Sequence, residues 1–104
     1  MKTILTLLVL FSANTFASSA SNKKICDSLY DKAIYNCEVS MCEDWLKDEG
    51  TPNTKKNIEQ CLNSGDGDLM EGAQICAIDG GELESLIKAY NRKNPRNKIN
   101  CDDN

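Results

Sequence analysis

The chain has 104 residues, with 12 Lys and Arg against 16 Asp and Glu, six cysteines and no histidine. Without histidine there is no Ser-His-Asp or Cys-His arrangement, no His-containing zinc site and no imidazole base. A formal net charge of −4 and a pI near 4.7 argue against a general nucleic-acid binder, because neutralising phosphates needs a basic face.

The N-terminus has the layout of a secretory signal peptide. Met1 and Lys2 give a short positive start, Ile4 to Phe11 is an apolar run, and Thr15 and Ala17 stand at −3 and −1 of a cleavage point. Cleavage is expected after Ala17, with Ala20 as the alternative. The apolar run is far shorter than the roughly 20 residues of a permanent membrane span. No cysteine sits at the cleavage point, so no lipid anchor is expected. The expected organisation is therefore 1–17 as signal peptide and 18–104 as a single disulfide-rich domain with a basic tail. Removing 1–17 takes away only one base, Lys2, and makes the protein more acidic.

All six cysteines lie beyond Ser18. An even count in a short exported chain reads as a disulfide framework, because a domain this small gains only marginal stability from its core. A metal site is the competing reading. There is no Cys-x-x-Cys, and without histidine a zinc site would need four thiolates, so no metal and no cofactor is expected.

The mature chain reads as four helices. Ile25, Leu29, Ala33, Cys37, Met41 and Trp45 recur every four residues, with Cys26, Tyr30 and Leu46 widening the stripe. This predicts a helix over about 23–49, capped by Ser21 or Asn22 and stopped by Gly50-Thr51-Pro52. Trp45, on this stripe, reads as a core residue. Thr51 as N-cap and Pro52 as first residue open the second helix, whose apolar face is Ile58, Cys61 and Leu62. Asp68 with Glu71 has capping-box spacing for a third helix, with Leu69, Met70, Ala73, Cys76 and Ala77 inward. Asp79-Gly80-Gly81 breaks it. Glu82 starts a fourth, with Leu83, Leu86, Ile87 and Tyr90 on one face, and Asn94-Pro95 ends it. The predicted fold class is all-α, a small four-helix domain stapled by three disulfides.

Helix geometry constrains the pairing. Cys37 and Cys42 point about 140° apart on one helix and cannot bridge each other. In an antiparallel hairpin about Gly50-Pro52, Cys42 and Cys61 lie at the same level, which pairs them. The remaining four cysteines allow three pairings, of which Cys26–Cys101 with Cys37–Cys76 is chosen because the tail carrying Cys101 must return after the fourth helix.

Few features suggest chemistry. Asp66, Asp68 and Glu71 fail the EF-hand frame, since Glu71 falls where Gly belongs and Ala77 where Glu belongs. Asp79-Gly80-Gly81-Glu82 reads as a turn. Two carboxylates can in principle act on a glycan, but no aromatic-lined groove is evident, and no catalytic residue is assigned. Charge is segregated. From Glu59 to Glu84 there are seven acids and no base, and from Lys88 to Lys98 five bases and no acid. Lys88, Arg92, Lys93, Arg96 and Lys98 are candidate partner-binding residues, as is the acidic segment Glu71 to Glu84. The competing reading is internal charge balance, and acidic lipid headgroups are a lesser alternative partner. The chain has no Asn-x-Ser/Thr sequon, which favours a bacterial exported protein over a eukaryotic secreted one.

Asn36-Cys37-Glu38-Val39-Ser40-Met41-Cys42 has the form Cys-Glu-x-x-x-Cys, followed by a polar stretch and Lys55-Lys56-Asn57-Ile58-Glu59-Gln60-Cys61. With the short signal peptide, this resembles the TrbM/KikA/MpfK group of plasmid conjugation proteins, and in size its short KikA-type members. The resemblance covers residues 36–61. It departs from the family pattern in having Leu62, where proline commonly follows the later cysteine, and in lacking further cysteines between Cys42 and Cys61. It implies an exported, periplasmic accessory protein of a plasmid conjugation or type IV secretion system, without catalytic residues. Cys37, Glu38, Cys42 and Cys61 are the positions it carries over, all structural. The partner expected is a protein, an envelope component of such a transfer system. The alternative is a secreted toxin or signalling effector acting on other cells.

Overall fold

The computed structural model describes residues 19–101. The proposed signal peptide and its cleavage point after Ala17 lie outside them. The described residues form four helices, α1 (Ser19–Asp48), α2 (Lys55–Leu62), α3 (Gly67–Ile78) and α4 (Glu82–Lys93), and no β-strand. The architecture is all-α, held by three disulfides. None of these helices is long and apolar enough to cross a membrane. α1 begins four residues before the expected start. Ser19 to Asn22 contains neither Gly nor Pro to stop it, and the alternative cleavage point after Ala20 falls in its first turn.

The chain divides into two units, Tyr30–Leu83 and the pair of segments 19–29 and 84–101. In Tyr30–Leu83, α1 is buried on two faces and not along one stripe. Ala33 and Cys37 share one face, and Cys42 and Leu46 lie well round the helix from them. Met41 and Trp45, expected inward, are only half-buried. The reason is geometric: a strict four-residue repeat drifts about 40° per step on a 3.6-residue helix, so it cannot follow one face for long.

α1 ends in a Schellman motif. The Thr51 N–H donates to the Leu46 carbonyl (2.8 Å) and the Gly50 N–H to that of Lys47 (3.1 Å). Gly50 takes φ +72°, which a side chain would oppose. This corrects the expected start of α2. Thr51 is committed to closing α1, and the N-cap is Thr54, whose Oγ1 accepts from the Asn57 N–H at 3.2 Å. Pro52 stays in the connection, its carbonyl accepting from the Thr54 N–H and the Asn57 side-chain amide. Asn53 donates to Glu43 across the turn (3.0 Å). Cys42–Cys61 then ties α1 to α2 with 5.9 Å between Cα atoms, as the hairpin register predicts.

The N-cap of α3 is Asp66, accepting from the Asp68 N–H at 2.8 Å. The expected capping box from Asp68 is therefore corrected: Asp68 is already in the first helical turn, where its charge suits the helix dipole. Leu69, Ala73 and Ala77 form the buried ridge of α3. Small residues bring it close to α1. A Cβ on Gly72 would stand 2.5 Å from the Met41 Cε. Cys37–Cys76 (Cα separation 6.0 Å) links the two helices, and the Asn36 amide donates to Glu82 (3.2 Å) at the start of α4.

The second unit is sewn differently. Beyond α4 the tail is irregular, so its peptide groups need partners from outside a helix. Asn91 supplies them to Ile99, donating to its carbonyl (3.1 Å) and accepting from its N–H (2.8 Å). Asn22 on α1 does the same for Asn100, both bonds at 2.8 Å. Ile99 is buried, and Cys26–Cys101 joins α1 to the tail with 5.7 Å between Cα atoms. No cysteine is free. Three such bridges belong to an oxidising, exported environment.

Candidate functional site

The periodicity of α3 decides which of its residues face out. With Leu69, Ala73 and Ala77 turned inward, Met70, Gln74 and Ile78 fall on one outward ladder, and Glu71 and Ile75 on the next. Met70 is 48% exposed, and Ile75 and Ile78 are each 54% exposed. The expectation that Met70 packs inward is thus corrected, and Ile75 and Ile78 were missed by sequence reasoning. The signal was present in composition: twelve residues hold more large and small apolar side chains than one helical face accommodates. Along this part of the chain the sequence supplies Asp66, Asp68, Glu71, Asp79 and Glu82 and no base. The result is a helix, fixed by a disulfide, that exposes three large apolar side chains within an acid-rich segment.

A second feature of Tyr30–Leu83 is an open cleft of about 400 Å³. One wall is the C-terminal end of α1, with Trp45, Leu46 and Glu49. The other is Thr51 and α2, with Asn57, Gln60 and Cys61, and Ser64 and Asp66 close the end. Trp45, read from the sequence as core, is half-buried and lines this cleft. The cause lies in α1, whose buried positions have moved one residue on, to Leu46. The Cys42–Cys61 bridge holds the two walls together. The titratable side chains lining the cleft, Glu49 and Asp66, are both acids.

The basic candidates lie in the other unit. Lys88, Arg92, Lys93, Arg96 and Lys98 are all exposed. Lys88 pairs with Glu84 one turn earlier on α4 (3.1 Å), a pair open to solvent at both ends and of little energetic weight. Arg92 and Lys93 fall in the last turn of α4, where cations suit the dipole. Arg96 and Lys98 sit on the tail pinned by Asn91 and Ile99. The five charges thus lie on α4 and the tail, and none of them lines the Trp45 cleft described above.

The framework cysteines are brought together as Cys26–Cys101, Cys37–Cys76 and Cys42–Cys61. Glu38, carried over by the resemblance, is half-buried on α1 between the two cysteines that staple that helix to α3 and α2. Neither the family models, nor the curated proteins, nor the solved structures give a match to this chain.

Proposed function

We propose that the protein is a non-catalytic binding module exported to the bacterial periplasm, where it serves a conjugal-transfer or type IV secretion system. It acts by holding a protein partner on the outward face of α3. The observation that carries this reading is the half-exposure of Met70, Ile75 and Ile78 on a helix within an acid-rich stretch of sequence. Apolar side chains grouped on a surface helix lose hydration cost when a partner covers them, and such patches mark interaction sites. The acids of this segment select the partner's chemistry: an envelope component presenting a cationic amphipathic segment is attracted, and an acidic one is repelled. Cys37–Cys76 fixes α3 beforehand, so little ordering entropy is lost on binding. The signal-peptide layout and the three bridges support the compartment, and the Cys37-to-Cys42 motif with Cys61 supports the transfer setting.

The test is genetic. Deleting the gene from a donor that carries the transfer functions should lower plasmid transfer at least tenfold. The wild-type gene should restore it, and an Ile75→Asp/Ile78→Asp variant exported to the same level should not. Unchanged transfer in the deletion strain contradicts the transfer role, and killing of neighbouring cells by the exported protein assigns it instead to the toxin class.

A further inference from the structure

We propose that the Trp45 cleft is a binding site for a guanidinium group, such as the end of an arginine side chain. The cleft shares Asp66 with the acid-rich segment of α3, while Trp45 and Glu49 belong to the cleft and not to α3. Three observations carry it. First, Trp45 lines the cleft and is half-buried, so part of this aromatic residue is accessible there. A flat, delocalised and weakly hydrated cation gains from stacking on such a face. Second, the charged residues of the lining are Glu49 and Asp66, with no base to neutralise them. The two carboxylates can accept from any hydroxyl, but their net charge attracts a cation more strongly than a neutral ligand. Third, the other polar groups, including Thr51, Gln60 and Ser64, all offer an oxygen acceptor. A guanidinium presents five N–H donors in a fixed plane and can satisfy several of them at once.

The same lining disfavours a divalent metal. Calcium needs six to eight oxygen ligands, and one Asp66 oxygen already accepts from the Asp68 N–H. A quaternary ammonium ion would stack on Trp45 but donate nothing to the oxygens around it. The cleft walls come from different helices fixed by Cys42–Cys61, so the site is formed before the ligand arrives.

The chain has a single tryptophan, so its fluorescence reports on this cleft alone. The intact, disulfide-bonded protein is titrated at low salt with N-acetylarginine amide, and in parallel with N-acetylcitrulline amide, which has the same shape without the charge. A saturable change in Trp45 emission is expected with the arginine probe, at least tenfold weaker with citrulline. Glu49→Gln should weaken the arginine response about tenfold. Asp66→Asn, which keeps an N-capping side chain, should weaken it with helicity unchanged. Trp45→Leu, followed by calorimetry, should abolish binding. A methylguanidinium arm separates the sources. Equal affinity points to a free small guanidine, and tighter binding of capped arginine points to a peptide. No saturable signal, an equal response to citrulline, an unchanged affinity in Glu49→Gln, or a response to calcium or a neutral saccharide in place of arginine would each overturn the proposal.

Discussion

Tyr30–Leu83 and the unit formed by 19–29 with 84–101 solve the same problem with different chemistry. The first buries Ala33, Cys37, Cys42, Leu46, Leu69, Ala73 and Ala77 between helices and adds two disulfides. The second buries Cys26 and Ile99, adds one disulfide, and relies on Asn22 and Asn91. A helix satisfies its own peptide groups, so helical segments need only apolar contact to assemble. A non-helical tail must find a donor and an acceptor for each buried residue. Asparagine carries both on one short side chain and substitutes for a neighbouring strand. The candidate binding features also divide this way. The exposed apolar residues of α3 and the cleft are on Tyr30–Leu83, and the basic residues of α4 and the tail are on the other unit.

The largest test of this contrast is to remove one bridge from each unit. Cys37→Ala with Cys76→Ala should cost about 3–4 kcal/mol and lower the cooperative thermal transition of the whole helical unit, as loss of a native bridge does in small exported domains. Cys26→Ala with Cys101→Ala opens the longer loop and on loop length alone should cost slightly more, about 4–5 kcal/mol. Its signature should differ. Amide exchange should rise first in 94–101 while the amides of α3 stay protected. If both pairs give the same exchange pattern, the two units are not separate in stability.

A smaller effect sharpens the second half of the comparison. Asn91→Ala removes both bonds to Ile99 and leaves its peptide groups without that partner. The expected cost is about 1–3 kcal/mol, since losing a partner from a part-buried group exceeds the net value of the bond. Asn91→Asp, which keeps the acceptor for the Ile99 N–H but loses the donor, should fall between wild type and alanine. Denaturant midpoints measure both. An unaffected midpoint in Asn91→Ala would mean that Ile99 burial and the Cys26–Cys101 bridge hold the tail unaided.

Much of the helical framework was legible because its signals are local. Gly50 with Thr51 and Pro52 marks a stop by backbone chemistry alone, and the hairpin it makes brings Cys42 level with Cys61. What the sequence left hidden depends on contacts between distant residues. The cap of α2 moved to Thr54 because the Thr51 N–H is taken by Leu46. Trp45 and Leu46 are adjacent, and nothing local says which one turns to the core. Ile75 and Ile78 look like core residues by type, and only the packing of Leu69, Ala73 and Ala77 shows that α3 has no inward room for them. The partners of Asn22 and Asn91 lie on a tail without regular structure, and an asparagine gives no sequence signal of the backbone it will bind.

The central claim is that binding belongs to the α3 face and not to the basic segment. It is tested most directly by calorimetric titration with a synthetic amphipathic helix that has one leucine face and one lysine face. Wild-type protein is compared with Ile75→Asp/Ile78→Asp and with Arg92→Glu/Lys93→Glu/Arg96→Glu, each checked for unchanged helicity. Saturable binding by wild type is expected, with at least a tenfold loss in the α3 variant despite its added acids and retained affinity in the charge-reversed variant. Binding that survives in the α3 variant, or that follows the tail charges alone, would contradict it.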